Sequence, residues 1–188
     1  GLARRYRALV DAAPEELREA VAESFHKLLA YKDEYEVARL HLDTLAKAGA
    51  EFDGAVRPRF HLAPPLLARK GADGRPRKIE FGPWIVPLFR VLAGLKRLRG
   101  TPFDPFGRTA ERRMERALID QYEADMRMVF SDLTPDRMDP ALALARLPME
   151  IRGFGPVKEA AAQAAARLRE ELLAAFRAGG APLARAAE

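Results

Sequence analysis

The stretch Trp84-Ile85-Val86-Pro87-Leu88-Phe89-Arg90-Val91-Leu92-Ala93-Gly94-Leu95-Lys96-Arg97-Leu98 decides the fold. Apolar residues at 84, 85, 88, 91, 92, 95 and 98 have the spacing of one wide helical face, which predicts a helix with that face in the core. The loop that follows, residues 99–108, carries Pro and Gly at intervals that forbid continued helix, while Phe103 and Phe106 are too apolar for a solvated linker. An ordered loop pinned to the core is expected. Thr109 then offers an N-cap hydroxyl, and Glu111 sits where the helix dipole favours an anion. Met114, Leu118, Tyr122, Met126, Val129 and Phe130 make the next buried stripe.

Outward from this centre the periodicity stays helical. Pro14-Glu15-Glu16 opens a helix with Leu17, Val21, Phe25, Leu28 and Leu29 on one side. Residues 33–48 place Tyr35, Ala38, Leu42 and Leu45 together and stop at Gly49, and the link 30–32 holds no breaker, so one long helix or two are both consistent. Residues 57–62 and 77–81 alternate polar and apolar, which predicts a small hairpin; Pro58 and Pro64-Pro65 confine its first strand to an edge. A short helix is expected over 140–147 and an ordered loop over 148–156. The clearest helix runs from Val157 to Phe176, with Val157, Ala161, Ala164, Leu168, Leu172 and Phe176 on its apolar face. The fold class is therefore mainly α: a helical bundle of about five or six helices with a small two-stranded antiparallel hairpin. It is expected as one domain over 1–188, with the hairpin inserted at about 57–81 and a loose tail from about 179.

With 188 residues, 48% of them hydrophobic and 31% charged, the chain can build one ordinary core and is too polar for a membrane protein. A cytoplasmic address fits, since no run approaches the roughly 18 apolar residues of a spanning helix. With no Cys there is no disulfide framework, thiolate nucleophile or cysteine-held metal cluster. There is also no Asn, and only Ser24, Ser131, His26, His41 and His61 extend the catalytic toolkit. The net charge of +5 hides an asymmetry: residues 57–116 hold fifteen Lys/Arg against five Asp/Glu, and the remainder seventeen against twenty-two.

Four patterns bear on chemistry. Gly71-Ala72-Asp73-Gly74 is close to the Gly-Asp-Gly with which thiamine enzymes hold Mg²⁺, but Ala intervenes and the partner Asn is missing, so a hairpin turn is the reading. Arg152-Gly153-Phe154-Gly155, leading into a helix with Lys158 in its first turn, is a candidate anion site at Arg152, Gly153, Gly155 and Lys158; the structural alternative is a sharp helix entry with Phe154 packed inward. Arg97, Arg99, Arg108, Arg112, Arg113 and Arg116 form a candidate partner or docking surface, with Arg112, Arg113 and Arg116 interleaved with Glu111, Glu115 and Asp120 as on a solvated or domain-facing helix. The three histidines show no i,i+4 pairing with another ligand, so structural or surface roles are expected, with no metal and no catalytic residue assigned.

Several strings carry a family likeness: Leu29-Ala30-Tyr31-Lys32-Asp33-Glu34-Tyr35-Glu36-Val37-Ala38-Arg39-Leu40, Phe60-His61-Leu62-Ala63-Pro64-Pro65-Leu66-Leu67-Ala68-Arg69, Glu80-Phe81-Gly82-Pro83-Trp84, Leu98-Arg99-Gly100-Thr101 with Asp104-Pro105-Phe106-Gly107, and Glu150-Ile151-Arg152-Gly153-Phe154-Gly155. In order and at plausible spacing from about Phe25 to Phe176, they resemble the C-terminal region of the large, fused bacterial indolepyruvate ferredoxin oxidoreductases. The resemblance implies a parent that oxidatively decarboxylates aryl 2-oxoacids with thiamine diphosphate and Mg²⁺, passes electrons through iron–sulfur chemistry to ferredoxin, and delivers an acyl group to coenzyme A. The family's thiamine motif and cluster cysteines have no counterpart here, so no catalytic or cofactor residue carries over. What is implied is a terminal accessory region, itself inactive, that docks on the catalytic domains, helps assembly, or shapes access for ferredoxin or coenzyme A. The alternative from the residues alone is a stand-alone basic helical module binding nucleic acid.

Overall fold

Caps, prolines and glycines divide the chain into seven α-helices and one hairpin among the described residues. The computed structural model describes residues 1–31, 33–54, 57–63, 77–153 and 155–179. In chain order the elements are α1 (Leu2–Asp11), α2 (Glu15–Leu29), α3 (Glu34–Glu51), β1 (Phe60–Leu62), β2 (Ile79–Phe81), α4 (Val86–Gly94), α5 (Ala110–Asp132), α6 (Met138–Arg146) and α7 (Pro156–Arg177). Single 3-10 turns, Pro83–Ile85 and Leu95–Leu98, extend α4 at both ends. The mainly α class with a small antiparallel hairpin is thus as expected. The helix beyond the expected set is α1, whose Leu2, Tyr6 and Leu9 already carry helical spacing. No helix among the described residues is long and apolar enough to cross a membrane.

The chain forms two compact units, Lys32–Arg112 and a second made of Gly1–Tyr31 with the chain from Arg113 onward. The second, terminal unit is built on apolar burial. Leu17, Val21, Phe25, Met126, Val129 and Phe176 are at most 1% exposed, where each such side chain contributes about 1.5–3 kcal/mol by leaving water. Phe25 stacks between Tyr6 and Tyr122, with ring centroids 6.2 and 5.9 Å away. Burial pushes the Tyr122 phenol well above its ordinary pKa, and its hydroxyl donates to the Ala145 carbonyl at 2.9 Å. Arg169 closes a fork on Asp125 with two bonds of 2.6 Å, satisfying a carboxylate that is only 9% exposed.

The central unit, 32–112, has a smaller core of Ala38, Phe60, Phe81, Ile85 and Phe89. Antiparallel register pairs Phe60 with Phe81, His61 with Glu80 and Leu62 with Ile79. Strand alternation therefore sends both Phe side chains to the core and leaves Glu80 to pair with Arg59 at 3.3 Å. His41 lies between two rings of this core, stacked on Phe89 at 5.1 Å and edge-on to Phe60 at 5.3 Å. The turn expected at 71–74, Pro64-Pro65, Phe154 and, from 180 onward, the expected loose tail lie outside the described residues.

Three local expectations are corrected. Asp33 ends the ambiguity between one helix and two: its carboxylate accepts the Glu36 amide at 2.8 Å as an N-cap, so α2 and α3 are separate, and α3 runs on through Gly49 to Glu51. The core face of α7 is turned from the expected one, because Ala162, Ala165, Leu172, Leu173 and Phe176 are buried while Val157 and Leu168 are 49% and 39% exposed. The wide face expected of α4 is split. Ile85 and Phe89 are buried, but Trp84, Leu88, Val91 and Leu95 face outward.

Candidate docking surface

The first turn of α3 holds the loop after α4 through four consecutive side chains. Asp33 pairs with Arg99, Glu34 with Arg112 at 3.3 Å, and Glu36 with Lys96 at 3.2 Å, while the Tyr35 hydroxyl donates to Asp104 at 3.0 Å. Acidic residues are favoured at this N-terminal position by the helix dipole, and each then meets a basic partner from residues 96–112. Burial and the Asp104 hydrogen bond push the Tyr35 phenol up to about 12. Glu36 is held down at about 2, first by its hydrogen bond from Arg39 and also by Lys96.

Asp104 is the hub of that loop. Besides Tyr35 it accepts the amides of Gly100 at 2.9 Å, Phe106 at 3.1 Å and Gly107 at 3.0 Å, the short-range pattern that Asp-Pro-x-Gly turns favour. Burial alone pushes the carboxyl up, but these four donors outweigh it and hold the pKa below the ordinary aspartate value. Gly100 adopts φ +73°, and a Cβ at Gly107 would lie 2.5 Å from the Asp104 carboxylate oxygen, so both glycines are needed for the wrap. Phe106 meets the Tyr35 ring edge-on at 5.4 Å. The expected pinned loop is therefore present, with one change: Phe106 packs, whereas Phe103 is 79% exposed.

Trp84 is 69%, Leu88 49%, Val91 57% and Leu95 39% exposed. Positions 84, 88, 91 and 95 are the spacing of a continuous helical stripe, so α4 and its flanking turns are apolar on two sides and covered on one. The Trp84 ring is set edge-on to Phe81 at 5.6 Å and 63°. The wide apolar face that the sequence marked as core is thus split: Ile85 and Leu92 pack with Phe89 in the core, and Trp84, Leu88, Val91 and Leu95 are displayed.

The six arginines marked as a surface have different situations. Arg99 and Arg112 are drawn into the clamp on α3, and Arg112 is only 8% exposed. Arg97 is exposed, and Arg108 is exposed with its guanidinium donating to the Pro102 carbonyl at 3.0 Å. Arg113 and Arg116 belong to the terminal unit, where Arg113 is exposed and Arg116 half-buried. The expected pairing partner of Arg116, Asp120, accepts instead from Arg5 at 2.5 Å.

In the candidate anion site, Gly153 and Gly155 take φ of +95° and +55° and turn the chain into α7. Lys158 is engaged by the 5%-exposed Glu115 carboxylate at 2.5 Å, and Arg152 donates to the Met149 carbonyl at 2.9 Å. Lys27 donates to the Pro148 and Met149 carbonyls, and burial, followed by the charge of Arg152, lowers its pKa. These cations brace the turn before α7. What the sequence reading missed were the Asp33-x-x-Glu36 cap and the Asp104 hub, both legible as Asx motifs, and the outward role of Trp84, for which the two-sided apolar pattern of 84–98 was the available signal.

No curated protein and no solved structure matches this chain. Residues 1–171, nearly the whole chain, fit the family of unknown function DUF6537, and the chain belongs to that family.

Proposed function

We propose that this chain is the non-catalytic C-terminal accessory module of an indolepyruvate:ferredoxin oxidoreductase, where it docks and assembles and the catalytic domains react. The observation that carries this reading is the meeting of two strings that resemble that family. Residues 33–36, within the string 29–40, clamp Arg99 and Asp104 from the string 98–107. A third string ends on the displayed Trp84. A likeness concentrated on a clamp and an exposed aromatic fits a module used for contact.

The donor set does not fit the parent's cofactors. Without Cys the chain offers no thiolates to an iron–sulfur cluster, and without Asn it lacks the second side-chain ligand of the thiamine–Mg²⁺ motif. Thiamine diphosphate, the cluster and the coenzyme A reaction belong, on this reading, to the catalytic domains, which are the module's first partners; ferredoxin is the next. Nucleic-acid binding draws less support, since Arg99, Arg112 and Lys96 are occupied by carboxylates of the same unit.

The test has two arms. The coding sequence adjoining this region should carry a thiamine-type Gly-Asp-Gly…Asn motif and cysteine clusters, and deleting this region from the parent should reduce the yield of assembled enzyme. An adjoining sequence without those motifs overturns the proposal. So does tight binding of the isolated chain to DNA or RNA whose affinity falls steeply with salt, as counterion release requires.

A further inference from the structure

We propose that the exposed stripe Trp84, Leu88, Val91 and Leu95 is a docking strip for an acidic amphipathic helix of a partner protein. This rests on the surface alone and holds whatever enzyme the chain serves. A helix apolar on two sides hides both only within a larger assembly, and here Ile85 and Phe89 fill the core of the central unit while the neighbouring stripe is left in water. The four side chains expose on the order of 400 Å², the size at which an apolar patch marks an interaction site. That is about half of what each side of a stable globular complex buries, so a single helix is the better-sized occupant. From 84 to 95 the stripe runs about 16 Å, three helical turns, which a partner helix covers with apolar residues at i, i+3/i+4, i+7 and i+11.

Trp84 is the anchor. Its indole is set against Phe81 at 5.6 Å and leans over the Cβ-less Gly82, where an added Cβ would stand 3.4 Å from the ring. Docking therefore orders a side chain that is already largely positioned, which lowers the entropy cost of binding, and Trp is the residue most often found to dominate such contacts.

Charge selects the partner. From Gly82 to Phe103 the chain has four Lys/Arg and no Asp/Glu. Lys96 and Arg99 turn back to Glu36 and Asp33. Arg90 and Arg97 are exposed and form no ion pair among the described residues. Seven residues apart, they stand away from the core and beyond Pro87 and Gly94 from the stripe, from where their long side chains complement carboxylates at the rim of a partner helix. A second copy of the strip would oppose like charges, which disfavours self-pairing. An anionic membrane gains about 1 kcal/mol per surface cation, so two cations and four apolar residues make a weak lipid signal.

Trp84 is the only tryptophan, so its emission reports on the strip alone. The whole chain is titrated with a synthetic 14-residue helix lacking Trp and Tyr, with Leu at the four strip positions and Glu at most others. Its twin carries Lys for each Glu, and phosphatidylserine vesicles form a third arm. The acidic peptide should shift the emission to the blue and saturate. Raising salt from about 0.05 to 0.3 M, or the double change R90E/R97E, should weaken it about tenfold. Leu88→Glu should abolish the shift with an unchanged far-UV circular dichroism spectrum, since Leu88 is 49% exposed. Equal binding of the basic twin, no saturation below about 1 mM acidic peptide, a shift on vesicles alone, or a shift with protein concentration alone would each overturn the proposal.

Discussion

The two units of this chain solve stability differently. In the terminal unit sixteen buried residues form one apolar cluster, and its charged pairs, such as Arg169 with Asp125, lie around that cluster. In the central unit five buried residues form the core, and ionised groups at 33–36 hold the segment 96–112 in place. Yet the central unit shows more large apolar surface, with Phe52, Ile79, Trp84, Leu88, Val91, Leu95 and Phe103 all exposed. A unit that spends its polar side chains on internal ties and leaves its apolar ones in water is organised for contact, while the other is organised for its own persistence. Four sets of measurements test that contrast.

The largest effect is expected in the terminal core. Phe176 is 1% exposed, with the Arg137 guanidinium 5.5 Å from its ring centroid. Phe176→Ala should cost about 3–5 kcal/mol, the range for emptying a buried aromatic site. Chemical denaturation followed by circular dichroism measures this; a loss under about 1.5 kcal/mol would mean the cluster collapses readily and is no stronger than its neighbour.

Next comes the polar hub. Asp104→Ala removes the acceptor of three amides and one phenol, and at about 1 kcal/mol per lost bond the loop should lose about 2–4 kcal/mol. Hydrogen exchange should quicken at Gly100, Phe106 and Gly107 and stay slow in α2 and α6. Unchanged exchange at those three amides would refute the hub. Tyr35→Phe, which removes one of the four bonds, should cost about 1 kcal/mol.

The units should also part in acid. Burial lowers the His41 pKa below its ordinary value of 6.5, so the unfolded chain takes up the proton first. That contribution is complete above pH 6.5 and is lost as the pH falls through it. Glu36 adds a second step of the same sign: with a folded pKa of about 2 against an ordinary 4.5, its contribution is whole above 4.5 and drains as the pH falls toward 2. The central unit should therefore soften from about pH 6.5 downward while α2, α6 and α7 keep their protection until the carboxylate range, where the lowered Glu123 and Asp136 carboxyls begin to take up protons in the terminal unit as well. His41→Phe should remove the first step and leave the second. Simultaneous loss of protection in both units would show that they unfold together.

How much of this was legible depended on whether a segment had one apolar stripe or two. For α2 and α5 only one stripe exists, and Leu17, Val21 and Phe25, like Tyr122, Met126 and Val129, are buried as their spacing predicts. In α7 the abundance of Ala makes adjacent faces nearly equal, and the choice falls to Arg169, whose fork on Asp125 fixes the rotation. In α4 the more regular stripe, 84-88-91-95, lost to 85-89-92 because Phe60 and Phe81 of the hairpin meet the latter. No local pattern contains that information, since it depends on which face a distant strand pair reaches. The clamp was half legible: the Asx motifs at Asp33 and Asp104 are local, but the Tyr35–Asp104 and Asp33–Arg99 contacts that join the two segments link residues almost seventy positions apart.

The smallest expected effect follows from that same two-sidedness. If the outward stripe of α4 serves only contact, Trp84→Ala and Leu88→Ala should change the stability of the isolated chain by no more than about 0.5 kcal/mol each, as exposed substitutions do. Phe89→Ala, on the covered side of the same helix and 4% exposed, should cost about 3–5 kcal/mol. The ratio between two faces of one short helix is then the measurement, and it is insensitive to helix propensity because both faces share the same backbone. Trp84 is the informative member, since its ring is set edge-on to the core residue Phe81. A loss at Trp84 comparable to that at Phe89 would place the indole among the supports of the hairpin and remove the reason to regard this face as reserved for another molecule.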